Sequence, residues 1–160
     1  MRSLGLDIGD RRTGVAVSDP GGVLATPLTV LAPGGEDVLI DEVIKLAEQH
    51  NAGRIVIGLP RHLSGDVGEQ ATKVTAFADR LSQRARQSSL NHLDVLLWDE
   101  RFSTKAAEQL KAETGRMGGK GASRARRGTT KRRSYIKAGV DAIAASLILQ
   151  DFLDSQSPGQ

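Results

Sequence analysis

The chain has 160 residues, no cysteine, five aromatic residues and a formal net charge of +3. Without cysteine it can form neither a disulfide framework nor a thiolate metal site, and so few aromatic rings leave little material for recognising bases by stacking. No stretch approaches the roughly 20 apolar residues that a membrane span needs. We therefore expect a cytoplasmic protein with no membrane association.

The N-terminal part alternates apolar and polar residues and predicts three antiparallel strands. They cover residues 2–8, 14–18 and 23–30. The first connection is short enough for a hairpin, and Pro27 favours an edge position for the third strand because proline cannot donate a ladder hydrogen bond.

From residue 36 onward, helical and strand patterns alternate. An amphipathic helix with Leu39, Val43 and Ala47 on its apolar face ends near Asn51, and the continuous apolar run 54–59 predicts a strand buried in a parallel sheet. A long helix, a strand over 93–98, a shorter helix over about 103–113 and a last helix over about 138–153 follow. The last helix is expected to point five residues inward: Val140, Ile143, Ala144, Leu147 and Ile148.

This order predicts an α/β fold in which helices flank a mixed five-stranded sheet. The sheet combines a three-strand antiparallel meander with two parallel strands. No linker or internal repeat divides the chain, so we expect one domain over residues 1–154, followed by a frayed tail over 155–160.

Basic residues concentrate in the segment 115–137, which contains nine of them and no acidic residue. The rest of the chain then has thirteen basic and nineteen acidic residues, so this segment is a cationic island on an acidic body. Its five glycines predict a flexible arm, and its natural partner is a polyanion held through phosphates rather than bases.

Three carboxylates occur at or beside positions where core side chains are expected. Asp7 lies in the first strand, Glu100 follows the last strand, and Asp141 lies in the first turn of the last helix. If that helix packs beside the first strand, all three converge at the carboxyl edge of the sheet, where open α/β folds bind ligands.

Converging carboxylates favour hard divalent cations, Mg²⁺ or Mn²⁺, and a pair of such ions suits phosphodiester hydrolysis. Each residue also has a simpler interpretation. Asp7 can bond turn amides, Glu100 can form a surface ion pair with Arg101, and Asp141 can be a favourable anion at a helix N-terminus.

Several polar residues are candidates for holding phosphates. Arg11, Arg12 and Thr13 follow the Asp7 strand and either bind the substrate backbone or form a solvated hairpin tip. Ser103 and Thr104 either present a helix N-terminus to a phosphate or simply cap it. The remaining nucleic-acid-binding candidates are basic: Arg101, Arg124, Arg126, Arg127, Lys131, Arg132 and Arg133.

Four groups of motifs, in this order, closely resemble the YqgF family, also called RuvX. They are Leu4-Gly5-Leu6-Asp7-Ile8-Gly9 with Arg11, Thr13-Gly14-Val15-Ala16 and Ser18-Asp19; Val56-Ile57-Gly58-Leu59-Pro60 with Gly65; Asp99-Glu100-Arg101-Phe102-Ser103-Thr104; and Val140-Asp141-Ala142 with Ala144-Ala145 and Leu147-Ile148-Leu149-Gln150. The resemblance runs from residue 1 to about 154. The segment 115–137 departs from it, being longer than the basic stretch expected in the family.

The resemblance implies a ribonuclease H-like fold of the branch that includes Holliday-junction resolvases, with the family carboxylates on Asp7, Glu100 and Asp141. Family members are associated with maturation of the 5′ end of pre-16S rRNA, and some with cutting branched DNA. We therefore expect a metal-dependent nuclease acting on pre-rRNA, in endo or exo mode. The alternatives are a branched-DNA resolvase, for which symmetric incision would require a homodimer rather than a monomer, and a non-catalytic rRNA-binding assembly factor.

Overall fold

The computed structural model describes residues 1–60, 68–99 and 129–156. Within these ranges the chain forms five strands and three helices. In chain order they are β1 (Arg2–Ile8), β2 (Thr13–Ser18), β3 (Ala25–Leu31), α1 (Glu36–Gln49), β4 (Ala52–Leu59), α2 (Glu69–Arg86), β5 (Asp94–Asp99) and α3 (Thr129–Gln156).

The five strands form one mixed sheet with the order β3-β2-β1-β4-β5. β2 is antiparallel to both β1 and β3, whereas β4 is parallel to both β1 and β5. The predicted meander with two further parallel strands is therefore confirmed. Pro27 lies in β3, which is an edge strand as expected.

One face of the sheet is covered by α1 and α2. The alternation of β1 directs Leu4 and Leu6 to this face, where they join Ile55 and Ile57 of β4 in the larger core cluster. The apolar faces predicted for the two helices are buried, including Val43 of α1. After α1 the chain turns at Asn51, whose φ of 51° is left-handed, and enters β4 directly.

The opposite face is covered by α3, which approaches β1 and β2 unusually closely at two glycines. A Cβ at Gly5 would lie 2.7 Å from Leu149 Cβ, and a Cβ at Gly14 would overlap the backbone carbonyl of Asp141. Only glycine has room at these two positions. The smaller core cluster, which includes Ala145 and Phe152, lies under this helix.

The prediction for the inward face of α3 is wrong except at Ile148. Among the α3 side chains described, those from residue 139 onward, the buried ones are Ala142, Ala145, Ser146, Ile148, Leu149, Phe152 and Leu153, whereas Val140, Ile143, Ala144 and Leu147 are only half-buried. Almost every residue from 140 to 149 is apolar or small, so periodicity does not select a face. The glycine surface of β1 and β2 selects it, because small residues of α3 can then pack closest.

The last helix also begins earlier than predicted, at Thr129 rather than near residue 138. No helix-breaking residue occurs between Gly128 and Gly139, and Lys and Arg are good helix formers. The C-terminal part of the cationic segment is therefore helical. The helix extends through Gln156, and the predicted helix over 103–113, the rest of the cationic segment and residues 157–160 lie outside the described residues.

None of the three helices in the described ranges is long and apolar enough to cross a membrane.

The turn between β2 and β3 is organised by the Asp19 carboxylate. Its Oδ1 accepts hydrogen bonds from the backbone N–H groups of Val23 at 2.7 Å and Leu24 at 2.8 Å. The bond from Leu24 and then that from Val23 lower the pKa of Asp19 below its ordinary value, because they stabilise the charged form.

We predict that Gly5→Ala and Gly14→Ala each destabilise the fold, by about 1–3 kcal/mol as in overpacked cores. Gly14→Ala is expected to have the larger effect, because the atoms in its way belong to the backbone. Urea denaturation measures the change. Gly34→Ala is the control, since no atom lies within 4 Å of a Cβ there; equal stability of all three variants would contradict the close approach of α3.

We also predict that the Asp19 carboxylate stabilises the fold in a pH-dependent way. Because its folded pKa is lowered, its contribution is fully present above the unfolded value of about 3.9 and is lost as the pH falls through the folded pKa. The stability difference between the wild type and Asp19→Ala, measured by urea denaturation, should therefore shrink on acidification below about pH 4. A difference that stays constant down to pH 2 would rule this out.

Candidate active site

The carboxyl ends of β1, β4 and β5 meet at one edge of the sheet, because these three strands are parallel. Asp7 is the second-last residue of β1, and Asp99 is the last residue of β5. Glu100 follows Asp99 in the chain and lies outside the described residues. β1 and β5 therefore each end in a carboxylate-bearing stretch at the sheet edge where the sequence predicts the site.

Asp7 and Asp141 are brought together around Gly14. Asp7 shares the α3 face of β1 with Gly5, and its cross-strand partner in β2 is Gly14, so both residues face the same side of the sheet. The backbone of α3 touches this same glycine at Asp141. Two carboxylates that are distant in sequence therefore lie on one face at the carboxyl edge, and both are half-buried.

Asp141 lies in the middle part of α3, not in the first turn of the last helix as predicted. The earlier start of the helix at Thr129 accounts for this difference. Since the residue is far from the helix N-terminus, a favourable interaction with the helix dipole does not explain its presence. Its position is explained instead by the contact between α3 and Gly14.

Arg12 forms an ion pair with Asp141, with 3.7 Å between Nε and Oδ2. Both side chains are about one third exposed, at 32% and 31%. A pair at this distance and exposure contributes little to stability, so Arg12 is free to exchange partners. It places a positive charge beside the Asp141 carboxylate.

The end of β5 is fixed to α3 by Trp98. Its indole Nε1 donates a hydrogen bond to Asp151 Oδ2 at 2.8 Å, and its ring meets Phe152 edge-to-face at 5.3 Å between centroids. Because Trp98 precedes Asp99, these contacts hold the last described residues of β5 against the helix that carries Asp141. The elements around the site are therefore anchored to one another.

Three predicted phosphate ligands on the β1–β2 turn are placed differently from one another. Arg12 reaches toward Asp141, whereas exposed Arg11 lines a cleft on the other side of the sheet. Thr13 is only 2% exposed, so it forms part of the structure of the turn and cleft wall. The turn thus directs two consecutive arginines to two different surfaces.

Most of the other predicted nucleic-acid ligands lie outside the described residues. Lys131, Arg132 and Arg133 belong to the first part of α3. The six predicted ligands that lie outside the described residues are Arg101, Ser103, Thr104, Arg124, Arg126 and Arg127.

The donor set at this edge fits a hard divalent cation. Carboxylate oxygens are the ligands that Mg²⁺ and Mn²⁺ prefer, and Asp7 and Asp141 supply them from one face of the sheet. Among the described residues, which exclude Glu100, no three His, Asp or Glu side chains form a metal-binding group.

A family model described as "RuvX: Holliday junction resolvase" matches residues 1–155. The chain belongs to the RuvX family. It is 42% identical over 157 residues to "Putative pre-16S rRNA nuclease" of Pelotomaculum thermopropionicum, covering 98% of this chain and 88% of the relative. A protein of the same name from Desulforudis audaxviator is 38% identical and covers 100% of this chain and 99% of the relative. Another from Clostridium botulinum is 36% identical and covers 98% of this chain and 99% of the relative.

Solved structures share the fold at low sequence identity. Thermus thermophilus RuvC in complex with a Holliday junction substrate has a TM-score of 0.55 and 16% identity, covering 98% of this chain and 95% of RuvC. The fowlpox virus Holliday junction resolvase has a TM-score of 0.51 and 13% identity, covering 97% of this chain and 99% of the viral protein. The fold of this RuvX protein is ribonuclease H-like, as the family resemblance implies.

The sequence did not predict the cleft that Arg11 lines together with residues of α2. Gln70, Lys73 and Arg80 line the same cleft from the exposed side of α2. Their spacing of three and seven residues was the available signal, since it places all three on one helical stripe. Such a stripe is also the ordinary polar face of an amphipathic helix, which is why it did not stand out.

We predict that the Arg12–Asp141 pair contributes only about 0.2–1 kcal/mol to stability. A double-mutant cycle with Arg12→Gln and Asp141→Asn, followed by urea denaturation, measures this coupling. The Arg84–Asp41 pair, at 2.9 Å and more than half exposed, is the matched reference. A coupling of about 3 kcal/mol or more at Arg12–Asp141 would indicate a buried, structural pair instead.

Proposed function

We propose that this RuvX protein is a divalent-metal-dependent nuclease that hydrolyses phosphodiester bonds and processes the 5′ end of pre-16S rRNA. One observation carries the proposal: Asp7 and Asp141 share one face at the carboxyl edge of a ribonuclease H-like sheet. Relatives at 36–42% identity that bear the name of a pre-16S rRNA nuclease support this substrate.

Asp7, Asp141 and Glu100 are the residues proposed to hold Mg²⁺ or Mn²⁺, in a site for two ions. Such ions supply an activated water and stabilise the leaving oxygen. The protein's own contribution is to hold Asp7 and Asp141 in place, Asp7 within a paired strand and Asp141 on a helix that meets the sheet at Gly14. Binding a cation would offset the repulsion between these carboxylates.

Arg12 is proposed to pass from Asp141 to a substrate phosphate. Its present ion pair is long and partly exposed, so losing it costs little, and a guanidinium binds phosphate oxygens in a bidentate manner. It would then hold the phosphate beside the carboxylates. The basic residues of the segment 115–137 are proposed to hold the phosphate backbone elsewhere, without reading its sequence.

A second candidate function is cleavage of branched DNA. It is favoured by the description of the matching family as a Holliday junction resolvase and by the fold shared with RuvC and the fowlpox resolvase. Symmetric incision of a junction would require two copies of the chain, whereas trimming of rRNA imposes no such symmetry. For the rRNA role we propose a cytoplasmic location.

We predict that Asp7→Asn, Glu100→Gln and Asp141→Asn each lower cleavage by at least about 100-fold, because each removes a negative charge that is proposed to hold the metal ions at the reacting phosphate. The assay compares a pre-16S rRNA 5′ leader with a four-way DNA junction, each with Mg²⁺ and with Mn²⁺. Calorimetric titration with Mn²⁺ in the absence of substrate should show weakened binding in the same variants.

Asp37→Asn is the matched control, because it makes the same change at an exposed carboxylate in the first turn of α1 that is not one of the proposed metal ligands. Undiminished Mn²⁺ affinity in all three variants would refute the site. Purified protein that binds the leader but cleaves neither substrate with either metal would favour a non-catalytic role in ribosome assembly. Cleavage of the junction alone would favour the resolvase function.

A further inference from the structure

A second concave surface lies at the carboxyl edge, on the face of the sheet opposite to Asp7 and Asp141. It is a cleft of about 500 Å³ between the β1–β2 turn and the helices α1 and α2. Ile8 and Gly9, which follow Asp7 directly, form part of its wall. The cleft and the carboxylate pair are thus separated only by the end of β1 and the turn that follows it.

The lining combines an apolar wall with a few polar side chains. Pro33 is half-buried, Leu39 and Phe77 border the cleft with only 8% and 3% of their surface exposed, and Arg11, Gln70 and Lys73 supply polar groups. Pockets of about 300–1,000 Å³ with this mixture are typical of sites for small organic ligands. The volume suits one nucleotide, with an apolar base and a charged phosphate, and is too small for two paired strands.

Two basic side chains of the cleft, Arg11 and Lys73, are available to bind an anion. Arg80 is paired with Glu36, so these two lining residues neutralise each other. Arg11 and Lys73 are both exposed and form no ion pair with any residue in the described ranges. Among the lining residues in the described ranges, Asp10 is the remaining acidic group, and two cations outweigh it.

The position of Lys73 relative to β1 is fixed by a neighbouring hydrogen bond. Gln70 Nε2 donates to the backbone carbonyl of Ile8 at 3.2 Å, which ties the beginning of α2 to the end of β1. Lys73 follows one helical turn later on the same stripe. The backbone of Lys73 therefore stands at a set distance from the end of the strand that carries Asp7.

We propose that this cleft binds one unpaired nucleotide of the substrate strand, next to the bond that is cut. Arg11 and Lys73 hold its phosphate, and the wall formed by Pro33, Leu39 and Phe77 receives its base. The inference rests on the proposed nuclease function and narrows it to substrates with a single-stranded flank. The consecutive residues Arg11 and Arg12 then bind the substrate on opposite faces of the sheet, Arg12 beside the carboxylates and Arg11 in the cleft.

Lysine footprinting tests the binding directly and without cleavage. The full chain is acetylated in EDTA, with and without a 12-nucleotide single-stranded RNA, and the modified lysines are identified by mass spectrometry. Lys73 should be protected by the RNA, whereas Lys45, which is exposed on α1 and does not line the cleft, should stay reactive. Equal reactivity of Lys73 with and without RNA would overturn the proposal.

Charge reversal tests the role in catalysis. Lys73→Glu should raise KM about tenfold for a substrate with a single-stranded flank, as expected for the loss of a charged hydrogen bond, and leave kcat unchanged. The same variant should change KM little when the flank is fully duplex. Lys45→Glu carries the same charge change and controls for long-range attraction. Equal effects of the two variants on both substrates would overturn the proposal.

The two tests separate this inference from the nuclease function. Protection of Lys73 in a protein that cuts nothing would support the cleft and refute the nuclease. Cleavage that is abolished by Asp7→Asn but indifferent to Lys73→Glu would support the nuclease and refute the cleft.

Discussion

The structure depends on the close approach of α3 to two glycines of the sheet. Gly5 and Gly14 leave a surface without side chains, and α3 fills it with its own backbone and small residues. This contact sets which side of the helix is buried, and it brings Asp141 to the strand pair that carries Asp7. A larger side chain at either glycine would force apart the two elements that form the candidate site.

Charge is arranged around this contact on two scales. Close to it, Arg12 stands beside Asp141, with 3.7 Å between Nε and Oδ2. On the scale of the molecule, an acidic body carries a cationic segment that runs into the first part of α3. A polyanion is therefore attracted to the cationic segment, and this attraction weakens as the salt concentration rises.

The order and type of the elements were predictable because each strand has a clear period or a continuous apolar run. The placement of Asp7 and Asp141 on one face of the sheet was also predictable, since a carboxylate among apolar residues is costly unless it is solvated, paired or bound to a cation. The buried face of α3 was not, because its sequence is apolar on nearly all sides. The cleft between the β1–β2 turn, α1 and α2 was not predicted, because Lys73 lies on a polar helix stripe and resembles any solvated residue. The prediction for Glu100 stays a prediction, because this residue lies outside the described ranges.

The dependence of the site on α3 also has a consequence for the newly made protein. Every apolar side chain of β1 that enters the larger core faces α1 and α2, so the sheet and these two helices can pack before the end of the chain exists. Asp141 joins Asp7 only when α3 docks, and α3 is the last helix in the described ranges. Since chains fold as they leave the ribosome, we expect the carboxylate pair to form last, after most of the chain has been synthesised.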